Sequence, residues 1–297
     1  MTQGLSKRER CLLVFAADQK AVSYLHAAQY LAPNYEPATD PPPKEAKGGL
    51  SEEMSEVGDQ TEVPSSETGK PKPARGGDRR NAPWPRDRRL RLKAVSRIIK
   101  ELERKGWVET ADPWKDRPKW MYVTMPGLRR LGLDYNEAHF PEDEEELDHL
   151  YQITRVRLLV GHRPEDPESA WFAHTWISER AIKADYPQNE AGVTLAHLPD
   201  GALELDEDAL VKMADGEKFP FKRGDCLAVE VERSRKDFAR LDVILPDLLK
   251  HYAGVWYFCS PKAADAVHLT IERLVKAGTL TRNQAKLIRV LDLEEEK

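Results

Sequence analysis

The chain has 297 residues, 33% of them charged, and a formal net charge of −5 at neutral pH. That balance excludes a histone-like coat of positive charge, and the absence of any run of about 18 apolar residues excludes a membrane-spanning segment. Three cysteines, Cys11, Cys226 and Cys259, with no C-x-x-C pair, exclude a disulfide framework and a zinc ribbon. The length suits two domains. Charge is segregated along the chain: residues 79–105 carry eleven Arg and Lys against three acids, and residues 137–148 carry seven acids and no Lys or Arg.

In chain order, Ser6 with Glu9 three residues on is a capping box that opens a first helix over Ser6 to Ala17. Its apolar run, about six residues, is too short for the ~7–15 residues of a secretory signal core and ends at Asp18, so the helix reads as part of a cytoplasmic protein. Val22, Leu25, Ala28 and Leu31 predict a second helix over 21–31, joined to the first by a turn at Asp18 to Lys20. Residues 32–85 are rich in Pro and Gly and almost free of branched apolar residues, which predicts a disordered insertion. Leu90, Leu92, Val95, Ile98, Ile99 and Leu102 then restore helical periodicity up to Gly106, with Arg88, Arg89, Arg91, Lys93, Arg97, Lys100 and Arg104 on the remaining surface. Strands at 107–110 and 119–124 flank a basic turn, and MPGLRRLGL predicts a short helix after them. Helix, strand, basic hairpin, strand is the order of a winged helix-turn-helix. In that arrangement the arginine-rich helix enters a major groove of double-stranded DNA while Lys115, Arg117 and Lys119 of the wing touch its backbone.

After the acidic run Glu142 to Glu146, a helix is expected with Leu147, Leu150, Ile153 and Val156 inward, carrying His149 and Arg157 as candidate site residues. Strands follow at 170–178, ending at Glu179, and at 199–205 and 227–233. A helix over 238–252 contains Pro246; then come an apolar strand at 255–259, a helix over about 263–277 and a last strand at 287–293. This order predicts a mixed sheet flanked by helices.

The stretch Leu227 to Lys236 carries the chemistry. Leu227, Val229 and Val231 alternate with Ala228, Glu230 and Glu232, a strand with one buried face and both carboxylates on the other. Asp200 stands at the mouth of the neighbouring strand, so three acids converge. Crowded carboxylates call for a hard cation such as Mg²⁺, the usual start of metal-dependent phosphodiester cleavage. The plain alternative is the solvated outer face of an antiparallel strand.

Pro199-Asp200 on one strand, Glu230 and Glu232 on the next, and the order helix, three strands, helix, strand resemble the PD-(D/E)XK nuclease superfamily. The whole chain, with His149, the Trp176 to Glu179 segment, Pro199-Asp200 and VEVERSRKDFARL, resembles the replication-relaxation family of plasmids and integrative elements. The resemblance implies an α+β protein, with a winged-helix DNA-binding domain over 1–135 and an α/β nuclease-like domain over 142–297, acting in plasmid replication or DNA relaxation. It implies Asp200 and Glu230 as ligands of Mg²⁺, and Glu232 where the superfamily usually has the lysine that stabilises transition-state charge. Lys236 or Lys250 would substitute for that lysine, Glu179 would add an acid, and His149 would carry a proton. Expected partners are double-stranded DNA, a second copy in a homodimer, and replication or conjugation proteins. The alternative is a non-catalytic replication initiator or transcription regulator with an inactive nuclease-like fold. No H-x-H metal pair beside a tyrosine, no glycine-rich phosphate loop and no serine-nucleophile motif occurs in the sequence.

Overall fold

The computed structural model describes residues 5–32, 88–113, 119–135, 138–161, 174–185, 197–213, 216–234 and 236–293. The insertion expected over 32–85, all but its first residue, and the wing residues Lys115 and Arg117 lie outside the described residues.

In the N-terminal half, α1 (Lys7–Asp18) opens on the expected capping box, with the Glu9 N–H donating to Ser6 Oγ and the Ser6 N–H to Glu9 Oε2. There follow β1 (Ala21–Ser23), α2 (Tyr24–Tyr30), α3 (Arg88–Arg104), β2 (Val108–Ala111), β3 (Trp120–Val123) and α4 (Met125–Leu131). The three strands form an antiparallel sheet in the order β1-β3-β2. β1 differs from the continuous helix expected over 21–31. Lys20 adopts φ 65° and turns the chain, and Ala21 to Ser23 pair with Trp120 to Tyr122, a partnership a hundred residues away that overrides the local helical period. Ser23 then caps α2 by accepting from the His26 N–H. Leu12, Phe15, Val95, Ile99, Leu102 and Met121 fill the core between these helices and the sheet.

The C-terminal half runs α5 (Glu144–Val160), β4 (His174–Ser178), α6 (Glu179–Asp185), β5 (Gly201–Leu205), a hairpin of β6 (Ala209–Lys212) and β7 (Lys218–Phe221), β8 (Cys226–Glu232), α7 (Phe238–His251), β9 (Gly254–Cys259), α8 (Pro261–Lys276), α9 (Arg282–Lys286) and β10 (Ile288–Asp292). The fold is α+β, with a mixed five-stranded sheet in the order β10-β9-β8-β5-β4. β4, β5 and β8 are antiparallel neighbours, whereas β8, β9 and β10 run parallel. Parallel neighbours need crossovers, which α7 and the α8–α9 pair supply. α6 and α9 were not expected from the sequence, and Pro246, expected to bend or divide its helix, sits inside an α7 that runs unbroken through it.

The sheet is covered on both faces. Leu203, Leu227, Val229, Val231 and Trp256 pack on Ile153, Val156 and Val160 of α5. On the opposite face Ala228, Val255 and Tyr257 pack on Leu241, Leu245 and Leu248 of α7 and on Ala263 and Val267 of α8. β8 is therefore buried on both faces, not one, and Glu230 and Glu232 lie in the interior at 1% and 7% exposure. α5 serves both halves: Leu158 enters the N-terminal core, and Leu147 packs on Ala21 and Trp120. Arg157 of α5 pairs with Asp18 at 3.1 Å, and Arg180 of α6 donates to the Ala17 carbonyl. Among the described residues, no helix is long and apolar enough to cross a membrane.

Candidate functional site

Asp200 owes its position to the glycine after it. A Cβ on Gly201 would lie 2.4 Å from Cζ2 of Trp176, so only glycine lets β5 start beneath that ring. Gly201 pairs with Val229, and one step back along the antiparallel ladder sets Asp200 opposite Glu230. Asp200 Oδ2 accepts a 2.8 Å hydrogen bond from the Val231 N–H. Its other oxygen, Oδ1, lies 2.9 Å from Nε2 of His149 on α5.

Glu230 and Glu232 share one face of β8 by the period-two rule. Nε2 of His197, in the turn before β5, lies 2.9 and 3.0 Å from the two carboxylate oxygens of Glu230. Lys236 reaches back from beyond β8, with Nζ 3.5 Å from Glu230 Oε2 and 2.8 Å from Glu232 Oε2. The shorter contact pairs charge at an angle unsuited to a hydrogen bond. Glu232 Oε1 accepts from both the N–H and the hydroxyl of Ser234. Lys236 also donates to the hydroxyl of Tyr257, at 3.4 Å. At the rim, Arg233 pairs with Asp148, the residue before His149, at 2.9 Å.

The sequence reading thus nominated six residues that the fold collects at one end of β5 and β8. His149 contacts Asp200, and Lys236 contacts Glu230 and Glu232; charge couples Asp200 to Glu230 and Lys236, and Glu179 stands at the first turn of α6, within electrostatic reach of Asp200 and His149. Lys250 is elsewhere, exposed near the end of α7 beside Asp247. His197 and Tyr257 were missed. The signal for His197 is its place three residues before Asp200 in the same turn; nothing local marks Tyr257, which reaches the cluster from the apolar strand β9.

The electrostatics follow from burial. Burial raises the Glu230 pKa, the hydrogen bond from His197 partly offsets it, and the charge of Asp200 raises it further. Burial lowers that of His149, but the hydrogen bond and charge of Asp200, with Glu232 beyond, outweigh it and leave the imidazole above its ordinary value. Lys236 is likewise opposed by burial and held above its usual range by Glu230 and Glu232. Glu179 is pushed upward by the neighbouring protein and then by the charge of Asp200, but the residue is exposed, so solvent screens both effects. The cluster is a set of acids and basic groups running from the buried Glu230 and Glu232 to His149 and Glu179 at the solvent edge.

Protein-family models, curated proteins and solved structures were compared with this chain, and none matches.

Asp200 and Glu230 suit a hard divalent cation by donor type and by their adjacency across two strands, yet each already receives protein donors. Among the described residues no group of three or more His, Cys, Asp and Glu side chains is arranged to hold a metal ion.

A second candidate surface is the outer side of α3. Val95, Ile99 and Leu102 face the core, while Lys93, Arg97, Lys100 and Arg104 form an exposed stripe along the other side. Arg104 is held by Glu101 through two hydrogen bonds of 3.0 and 2.7 Å. The side chains of Lys93, Arg97 and Lys100 make no ion pair among the described residues. Arg91 is half-buried, and only the backbone of Arg88 and Arg89 is described. Lys119, at the start of β3, is exposed and 3.5 Å from Asp112.

Proposed function

We propose that this chain is a mobile-element DNA-binding protein of plasmid replication or relaxation. Its N-terminal half acts as a winged helix on double-stranded DNA, and its mixed-sheet half is a PD-(D/E)XK-like, Mg²⁺-dependent nickase or endonuclease. The observation that carries this reading is the convergence of Asp200, Glu230, Glu232, Lys236 and His149 on one sheet end, with α5, the sheet strands β4, β5 and β8, α7 and β9 following in that chain order and α6 and the β6–β7 hairpin set between them. Burying two carboxylates beside a third that is partly buried is costly unless they are paired. A purely structural sheet has no need of that cost.

In this reading Asp200 and Glu230 hold the cation, which supplies Lewis-acid stabilisation of the phosphate and a more acidic bound water. The protein's own groups do the rest. Lys236 fills the place of the lysine that Glu232 displaces from the usual pattern, with its ammonium beside both acids. His149, held by Asp200, carries a proton between the site and solvent. Lys93, Arg97 and Lys100, with no ion-pair partner among the described residues, provide three cations on one helix face for DNA phosphates.

A second reading rests on the same contacts. The carboxylates already have protein partners in His149, His197 and Lys236, and this favours a non-catalytic replication initiator or transcription regulator whose nuclease-like half serves as a dimerisation or docking module.

Incubation of the purified full chain with supercoiled plasmid carrying the origin of its element, with Mg²⁺ or Mn²⁺ against EDTA, separates the two. The nuclease reading expects metal-dependent nicking that Glu230→Ala and Asp200→Ala abolish while DNA affinity persists. Binding without cleavage under every metal supports the regulator.

A further inference from the structure

We infer that His197 is a plug in the acid cluster: its imidazole occupies the place on Glu230 that a divalent cation would take, and cation binding has to expel it. This rests on the reading of the cluster as a cation site and names how that site is kept closed.

The geometry carries the argument. Nε2 of His197 is almost equidistant from the two oxygens of Glu230, at 2.9 and 3.0 Å, which is the open side of the carboxylate where a cation chelated by both oxygens sits. The Glu230 side chain is 1% exposed and that of His197 is 19% exposed, so the imidazole stands between the buried acid and solvent. Among the described residues, the other contacts of Glu230 are also closed. Lys236 lies against Oε2, and Tyr257 on the adjoining strand is fully buried. The neighbouring acid is closed in the same way, with one oxygen of Asp200 on the Val231 N–H and the other on His149.

The plug is also built to move. Strand pairing of β5 begins at Gly201, four residues after His197, so the ring can swing out without breaking a rung of the sheet ladder. Once it does, the acids keep their positions, because Asp200 is fixed by the Val231 N–H and Glu230 belongs to the central strand β8. The contrary reading is that His197 is itself a ligand. Two neighbouring ligands of an octahedral ion with bonds of about 2.1 Å lie about 3.0 Å apart, close to the observed spacing. The two readings predict opposite effects of removing the ring.

The test is calorimetric titration of the full chain with Mn²⁺ at fixed pH, supported by the loss of free-Mn²⁺ paramagnetic resonance signal, for the natural protein, His197→Ala and Glu230→Gln. A plug predicts that His197→Ala binds Mn²⁺ about tenfold tighter or more, the scale of one charge-assisted hydrogen bond removed from the competing state, and that Glu230→Gln binds much more weakly. Weaker binding by His197→Ala would make the residue a ligand, and unchanged binding would mean that it obstructs nothing. Either result overturns the plug and leaves the cation site standing. Absence of Mn²⁺ binding in all three proteins overturns the plug and the nuclease reading together. Should His197→Ala fail to fold, His197→Asn, too short to span both oxygens, gives the same comparison.

Discussion

Lys236 offers the sharpest test of how the acid cluster is held. Among the described residues, its ammonium is the one lysine contact to both Glu230 and Glu232, whose side chains are 1% and 9% exposed, against 16% for its own. Replacing it with methionine keeps the stem and removes the charge. Breaking a buried pair from one side costs about 3–5 kcal/mol, and the lower end applies because His197 and Ser234 still donate to the two acids. For a chain of this size about 3 kcal/mol is a fall of roughly 6–12 °C in Tm. The loss is pH-dependent. Glu230, already raised by burial, is raised further without Lys236. A carboxyl raised in the folded state contributes stability below its unfolded pKa and loses it as pH rises through the folded value. The deficit of Lys236→Met relative to the natural protein is therefore larger at pH 8 than at pH 5.5. Urea denaturation of both proteins at both pH values measures it. A deficit under about 1 kcal/mol, or one equal at the two pH values, would refute the account of Lys236 as the compensating charge.

Three further outcomes are expected. His26 is buried against Tyr151, and burial, with the charge of Arg155, pushes its pKa down to about 3. A histidine kept neutral by the fold contributes full stability above its unfolded pKa. The protein therefore loses about 1.4 kcal/mol per pH unit below about 6.5, and His26→Phe flattens that limb of the stability curve, as read from urea midpoints. Gly201→Ala drives a methyl into the Trp176 ring and lowers stability by about 1–3 kcal/mol, measured by thermal melting. Replacing Lys93, Arg97 and Lys100 together by glutamine leaves the circular dichroism unchanged and reduces the log–log salt slope of DNA binding by about 2–3; an unchanged slope would remove α3 from the DNA interface.

The parts of this molecule legible in the sequence are those set by local chemistry. The Ser6–Glu9 capping box, the apolar stripe of α3 and the period-two alternation of Leu227 to Glu232 each name an element by near neighbours, and each element formed. The acid trio was legible for the same reason, since strand alternation and one turn suffice to bring it together. What stayed hidden depends on distant partners. β1 forms because Ala21 to Ser23 meet Trp120 to Tyr122. Glu230 is buried because α7 and α8 cover a face that alternation alone assigns to solvent, and its partner His197 stands 33 residues away. α6 and α9 were missed for a different reason, because their signals were present but faint. Ser178 Oγ accepts from the Ala181 N–H at the start of α6, and Thr281 with Gln284 makes a capping box at α9.

α5 has a consequence for how such a protein can be taken apart or recombined. One side of this helix completes the N-terminal core through Leu158 and meets Ala21 and Trp120 through Leu147, while the other supplies Ile153, Val156 and Val160 to the sheet. A truncation just before it strips the N-terminal half of apolar cover, and one just after it uncovers a face of the sheet. A genome that exchanged either half for a foreign counterpart would also need a helix matching two surfaces at once. The two halves are thus expected to be inherited as a single piece, with the helix as the reason the chain does not shuffle.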